Sequence, residues 1–300
     1  MPVGDLSIAS LLERCTFPPT NTVVDCAVSG GPDSLALLAL AVHHGLDVTA
    51  WHVDHGLREE SAAEGHRVAE AAALLGAKSR LVTVSISPGS NLESRARDAR
   101  RDALPAEVLT GHTADDQAET VLLNLLRGAG LPGTAGIGDP HRRPLLRIRK
   151  EETLWVCNHL DLNPIKDPMN EDPRFTRVRV RNEVIPLLSE VFERDPVPLL
   201  TRHSDRAREA VELLNDQIKD IDPTDTRALS KFPEPIVRLV IHRWLTDQRS
   251  GIAPEYAAVE RVLEVVNHEA RATDVGDGDR VERTNGQLRF SSASNPIKSG

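Results

Sequence analysis

Cysteine is scarce. The chain has three in 300 residues, Cys15, Cys26 and Cys157, and no CxxC pair. That excludes a disulfide framework and removes the usual ligands of structural zinc or an iron–sulfur cluster. Any metal is therefore expected to have oxygen ligands. Aromatic residues make up only 3% of the chain, so few rings are available to stack on bases. No uncharged apolar run reaches the roughly 18 residues that a membrane span needs. The opening MPVGDLSIASLLER lacks the basic start and long apolar stretch of a secretory signal, so a cytoplasmic protein is expected. Positive charge is also outnumbered, with 36 Lys/Arg against 45 Asp/Glu and a net charge of −9. A surface that attracts nucleic acid everywhere is excluded by that balance.

The charge is unevenly spread. Between Arg142 and Arg181 ten Lys/Arg face six Asp/Glu, whereas residues 201–300 hold 15 Lys/Arg and 17 Asp/Glu. A local basic excess in an acidic chain suggests one anionic partner on one face, with a solvated charged face as the plainer alternative.

Length alone suggests one large and one small domain. The first half alternates β-branched runs with helical patterns. Strands are predicted at Val23–Val28, Asp47–Val53, Leu81–Ile86 and Val108–Thr110, and helices at Ser34–His44, Ser61–Leu75, Leu92–Leu104 and Asp115–Arg127. This alternation implies an α/β class: a Rossmann-like parallel sheet with helices on both faces and ligands at the carboxyl ends of its strands. Residues 128–144 read as a long Gly/Pro-rich loop, and 166–174 as a polar turn region. Helices follow at Lys150–His159, Arg177–Val191 (bent at Pro186), Leu199–Ile218, Pro235–Thr246 and Pro254–Asn267. A hinge is expected at Ile221–Thr226 and a strand at Gln287–Phe290. The boundary is placed near residues 195–200, giving a catalytic domain over 1–198 and a smaller, mainly helical accessory domain over 199–300.

Three loops carry chemistry. Ser29-Gly30-Gly31-Pro32-Asp33-Ser34 joins a strand to a helix, where glycine backbone and free helix N–H groups can hold an anion. It is neither GxxxxGK[ST] nor GxGxxG. Ser29 and Ser34 can donate to phosphate oxygens, and Asp33 among phosphates makes sense mainly as a Mg²⁺ ligand. A capped Gly-rich turn is the plainer alternative. His52-Val53-Asp54-His55 follows the second strand, either as a metal site or with His52 packed in the sheet and Asp54 and His55 facing the cleft. In the third loop His112 is a candidate acid/base or phosphate contact and Thr113 a helix cap. Asp116 and Glu119 lie at i, i+3 on one helix face with Asp115 beside them. That is more charge than a helix dipole needs, and it suits a cationic substrate or a metal.

SGGPDS resembles the signature of the PP-loop ATP pyrophosphatases. HVDHGLR, GHTADDQAETVLLNLLRGAG, Arg143-Pro144-Leu145-Leu146 and DPMNEDPRFTRVRVRNEVIPLL resemble the tRNA(Ile)-lysidine synthases within that superfamily. The five ordered blocks span about residues 24–190. The resemblance implies a ligase that uses Mg²⁺ and ATP to adenylate C2 of the wobble cytidine of the CAU anticodon of tRNA(Ile), releasing diphosphate. L-lysine then displaces AMP through its ε-amino group to form lysidine, and decoding changes from AUG to AUA.

Carried over by residue, the resemblance implies that Ser29, Gly30, Gly31, Pro32, Asp33 and Ser34 bind ATP, with Asp33 on Mg²⁺. Asp33 and His112 would be catalytic, and Asp116 and Glu119 would bind lysine. Arg97, Arg100, Arg177, Arg179 and Arg181 would meet tRNA or ATP, with surface ion pairs as the plainer alternative for each arginine. Arg101 and Val178 depart from the tyrosine and asparagine usual in the family. Longer members add a further C-terminal domain, so residues 200–300 are expected to be the first accessory domain. The oligomeric state is left open, a homodimer being one candidate. Two other readings compete: a cytidine 2-thiolation enzyme, which the missing CxxC disfavours, and an ATP-sensing module, which leaves Asp116, Glu119 and the arginine-rich segment unused.

Overall fold

The structure is a computed structural model and describes residues 6–54, 61–84, 99, 102–165, 172–249 and 251–292. The chain divides into two compact units, Met1–Leu123 with Ile137–Arg202, and Asn124–Gly136 with His203–Gly300. No helix among the described residues is long and apolar enough to cross a membrane.

In the first unit, β1 (Val23–Ala27), β2 (Asp47–Asp54) and β3 (Lys78–Thr83) form a parallel sheet in that order. Leu109 adds a parallel bridge to Cys26 on the free side of β1, where a short strand was expected. Helices α2 (Pro32–His43) and α3 (Ser61–Leu74) pack on the sheet, α1 (Ile8–Leu12) packs on α2, and α4 (Ala114–Leu126) packs through Ala114 and Ala118 on Val197. Helix α2 is apolar all round, and Leu35 to Ala41 are almost wholly buried, the expected state of a helix with no polar face. It anchors the unit's core with Val28, Val48, Ala50, Leu145, Ile148 and Val156.

The third strand was expected at Leu81–Ile86 and lies three residues earlier. It is an exposed edge strand, so its polar start is held by pairing rather than burial. Lys78 bonds Asp47 across the edge, and the Arg80 guanidinium sits 5.2 Å from the Trp51 ring centre. The expected helix Leu92–Leu104 falls largely outside the described residues.

The Gly/Pro-rich stretch expected to be a loop contains two single turns of helix, α5 (Leu131–Thr134) and a 3₁₀ turn at Pro140–Arg142. Helix α6 (Lys150–His159) packs along α2. The expected helix Arg177–Val191 is built in three parts: α7 (Thr176–Arg179), a π turn at Val180–Val184, and α8 (Ile185–Phe192). Pro186 lacks an N–H and crowds the preceding turn, so the widened turn lies where the regular ladder would break.

Helix α9 (Val197–Ile218) leads into the second unit, which holds α10 (Thr226–Leu229), α11 (Glu234–Gln248) and α12 (Tyr256–Val266). It also carries an antiparallel sheet of β4 (Ala272–Gly276), β5 (Asp279–Thr284) and β6 (Gln287–Ser291), of which only the last was expected. Its turns are Asp277-Gly278 and Asn285-Gly286, all four residues at positive φ, as two-residue hairpins demand. Val275, Val281 and Leu288 pack inward on Val240, Ile241, Leu245 and Val262. The expected hinge at 221–226 is tied down instead: the Leu288 N–H donates to the Thr224 carbonyl at 2.8 Å, and the Thr226 N–H to Gly286 at 3.0 Å.

Candidate active site

The Gly-rich turn after β1 closes on itself. The Ser29 N–H donates to Ser34 Oγ at 3.2 Å, and Ser34 Oγ donates to the Gly31 carbonyl at 2.9 Å. Gly30 has φ +89°, and its carbonyl accepts from Ile165 N–H at 2.9 Å. A Cβ there would lie 2.4 Å from Ile165 Cδ1. Gly31 and Pro32 start α2 with no side chain capping its N–H groups, leaving the positive end of the helix dipole open. Gly111 presses against this turn, and a Cβ on it would come 2.6 Å from the Asp33 carbonyl oxygen.

One helix end joins the turn to the acidic loop. Thr153, in the first turn of α6, donates from Oγ1 to Asp33 Oδ1 at 2.5 Å. Lys150, the first residue of α6, places Nζ 2.9 Å from Asp116 Oδ1 and 3.7 Å from Glu119 Oε1. Cations are disfavoured at a helix start, and Asp115 offsets them there, accepting the Lys150 backbone N–H at 2.9 Å and the Arg149 guanidinium at 3.1 Å. Asp116 itself is locked by Thr113: its Oδ2 accepts the Thr113 N–H at 2.9 Å and the hydroxyl at 2.8 Å. The Asp116 N–H reaches back to Thr113 Oγ1 at 3.4 Å, a reciprocal cap.

Glu119 is fully buried. Arg177 Nε donates to Oε2 at 2.7 Å and Arg181 Nε to Oε1 at 2.6 Å. These arginines lie one helical turn apart; they were expected on tRNA or ATP, with ion pairs as the plainer alternative, and both pair with Glu119, a carboxylate expected to bind lysine. Arg179 bonds Glu183 on the exposed side. The charges shift one another. Burial pushes Asp116 up, but Lys150, the Thr113 N–H and Arg177 outweigh it and hold its carboxyl well below the usual range. For Asp33 burial wins over the Thr153 hydroxyl and Lys150, and its pKa is raised.

His112 Nδ1 lies 2.9 Å from Thr110 Oγ1. His52 is buried in the sheet, and its Nδ1–H donates to the Val28 carbonyl at 2.8 Å. His55, Arg97 and Arg100 lie outside the described residues. Among the described residues no group of three His, Cys, Asp or Glu could hold a metal. The thiols of Cys15, Cys26 and Cys157 are each pushed up to about 12, chiefly by burial, which disfavours the thiolate. Sequence reading missed Lys150 and Thr153. A lysine at the first position of a helix, against the dipole, was the available signal.

Residues 6–188 match the PP-loop domain family, and residues 225–289 match the TilS substrate binding domain. A tRNA(Ile)-lysidine synthase from Rhodococcus erythropolis is 40% identical over 245 residues, covering 76% of this chain and 75% of that protein. The chain belongs to the tRNA(Ile)-lysidine synthases. Another family member, from Mycolicibacterium paratuberculosis, is 42% identical over 234 residues, covering 73% of each chain. The family's PP-loop fold extends to more distant proteins: the U34-tRNA thiolase of Methanococcus maripaludis superposes with a TM-score of 0.52 at 18% identity, covering 72% of this chain and 80% of its own.

Proposed function

We propose that this member of the tRNA(Ile)-lysidine synthases acts through the residues joined by the first turn of α6. As a ligase it couples ATP cleavage to lysidine formation on tRNA(Ile). In the first step the C2 carbonyl oxygen of the wobble cytidine attacks the α-phosphorus, and the bond to diphosphate breaks. In the second the lysine ε-nitrogen bonds to C2, the bond to AMP breaks, and the nitrogen loses a proton.

Ser29, Gly30, Gly31, Pro32 and Ser34 bind the triphosphate through hydroxyls, backbone and the open helix end. Asp33 is the carboxylate for Mg²⁺. One carboxylate beside a phosphate turn fits that ion, which prefers substrate phosphates and water to an all-protein cage. The raised pKa of Asp33 supports this, because a buried carboxylate gains from an arriving cation. Bound Mg²⁺ would supply charge neutralisation for the departing diphosphate. His112 follows Gly111, which lies against the turn, and is assigned the lysine proton.

The ε-amine must be uncharged to attack, so the substrate is recognised by its α-ammonium and α-carboxylate. Asp116 supplies the ammonium contact, and Glu119 orients Arg177 and Arg181 around it. The observation that carries this reading is the bridge by Thr153 and Lys150 from Asp33 to Asp116. Nucleoside mass analysis of a CAU-anticodon tRNA(Ile) transcript incubated with the protein, ATP, Mg²⁺ and L-lysine tests it. A lysine-sized gain on cytidine, lost in Asp33→Ala, is expected; a gain that persists in Asp33→Ala would remove the assigned roles.

A further inference from the structure

Most cations of the first unit named above are paired. Arg14 bonds Glu152, Arg149 bonds Asp115, Lys150 bonds Asp116, and Arg177 and Arg181 share Glu119. Arg142 and Arg143 break this pattern. They are adjacent, each half-buried, and among the described residues neither makes an ion pair. The Nε of each is buried without an acceptor. Arg208 has the same orphaned Nε but carries its charge on Asp205. Arg143 spends one terminal nitrogen on the Gly138 carbonyl. Arg142 has no side-chain hydrogen bond among the described residues. Two desolvated like charges side by side are unfavourable unless an anion meets them. Burial and the Arg142 charge both lower the Arg143 pKa, with Asp139 acting the other way.

The backbone fixes where this pair lies. Pro140–Arg142 is a 3₁₀ turn, and the Arg142 carbonyl accepts the Thr110 N–H at 2.9 Å. Thr110 follows Leu109, the bridge beside β1, and is joined through Oγ1 to His112. Between them, Gly111 touches the backbone of Asp33. The pair therefore sits at the carboxyl edge of the sheet, one short loop from the Gly-rich turn.

We propose that Arg142 and Arg143 form a phosphate-binding subsite at that edge, with Arg142 presenting its guanidinium fork to two phosphate oxygens. This rests on the ligase reading above, since the phosphate would belong either to the nucleotide or to the tRNA backbone.

Arg142→Ala and Arg142→Lys are compared with the unaltered chain by melting temperature, KM for ATP, inhibition by inorganic diphosphate, and tRNA binding across a salt series. The alanine variant should lose about tenfold in one arm, the worth of a charge-assisted contact. A raised KM for ATP with weakened diphosphate inhibition assigns the nucleotide. Weaker tRNA binding, with a salt slope shallower by about one, assigns a backbone phosphate. The lysine variant keeps the charge without the fork, so it should show a smaller loss of the same kind, and it decides the matter if the alanine variant does not fold. A folded variant with all three unchanged overturns the subsite while lysidine formation by the unaltered chain stands. If the unaltered chain forms no lysidine yet Arg142→Ala still weakens diphosphate or tRNA binding, the ligase reading falls and the subsite remains.

Discussion

Lys150 reaches Asp116 through an Nζ–Oδ1 contact of 2.9 Å, so one of the chain's own ammonium groups holds the carboxylate proposed for the substrate's ammonium. Lysine must displace it or share the carboxylate. Lys150→Met should lower the KM for L-lysine by at least about two- to fivefold, since that is the worth of an exposed ion pair and this one is mostly buried. The check is steady-state kinetics on tRNA already adenylated. A raised KM would instead make Lys150 a strut that aims Asp116.

Glu119 behaves differently, because it is fully buried between Arg177 and Arg181. Removing a buried partner leaves its cations uncompensated, which costs about 3–5 kcal/mol. Glu119→Ala should therefore lower denaturant stability by that order and reduce both reaction steps together. Arg181→Met should cost less, because Arg177 and Lys150 still compensate the buried carboxylate. A loss in Glu119→Ala no larger than that of an exposed ion pair would mean the clamp adds little to folding.

Gly111 has no room for a side chain, since a Cβ would lie 2.6 Å from the Asp33 carbonyl oxygen and 3.1 Å from the Ser34 nitrogen. The obstacle is backbone, so the Gly-rich turn itself must move. Gly111→Ala should leave the second unit's fold intact while raising the KM for ATP by tenfold or more, since misplacing a binding loop by about an ångström is costly. Parallel nucleotide binding and hydrogen exchange over 272–292 would test this.

Most of the parallel half of the fold was legible because β1, β2, α2, α3 and α4 each carry their own periodic signal, and α2 could hardly be anything but a buried helix. The Gly-rich turn and the Asp116/Glu119 face were legible for the same reason: their residue types sit at strand ends where ligands gather. Strand β3 was misplaced because an edge strand is specified by its neighbour's register, not by its own apolar run. The hairpins at 277–278 and 285–286 carried Asp-Gly and Asn-Gly signals, but strands of five or six residues with one buried side each are faint. The partners of Arg177 and Arg181 were beyond reach, because ion pairs across some 60 residues leave no local trace.

Asp116 should dominate the acid limb of stability. Its pKa is held below the ordinary 3.8, so the ionised form adds stability above that value, and the contribution is lost as pH falls through the depressed one. Asp116→Asn should flatten the melting profile below about pH 4 relative to the unaltered chain. An unchanged acid limb would show that Lys150 and Thr113 bind the carboxylate no better folded than unfolded.

Asp33 carries the opposite sign. Burial raises its pKa above 3.8, so at neutral pH the ionised carboxylate costs stability, and the cost disappears only as pH falls toward the unfolded value. Asn can still accept the Thr153 hydroxyl but carries no charge to desolvate. Asp33→Asn should therefore melt higher at pH 7, by about 2–4 °C for each kcal/mol recovered, while lysidine formation is lost. The gain should shrink toward pH 4. Adding Mg²⁺ and ATP should raise the melting temperature of the unaltered chain more than that of the variant. A variant that is less stable at neutral pH would mean the Asp33 charge is already compensated within the fold, and the case for a cation beside it would lose its physical basis.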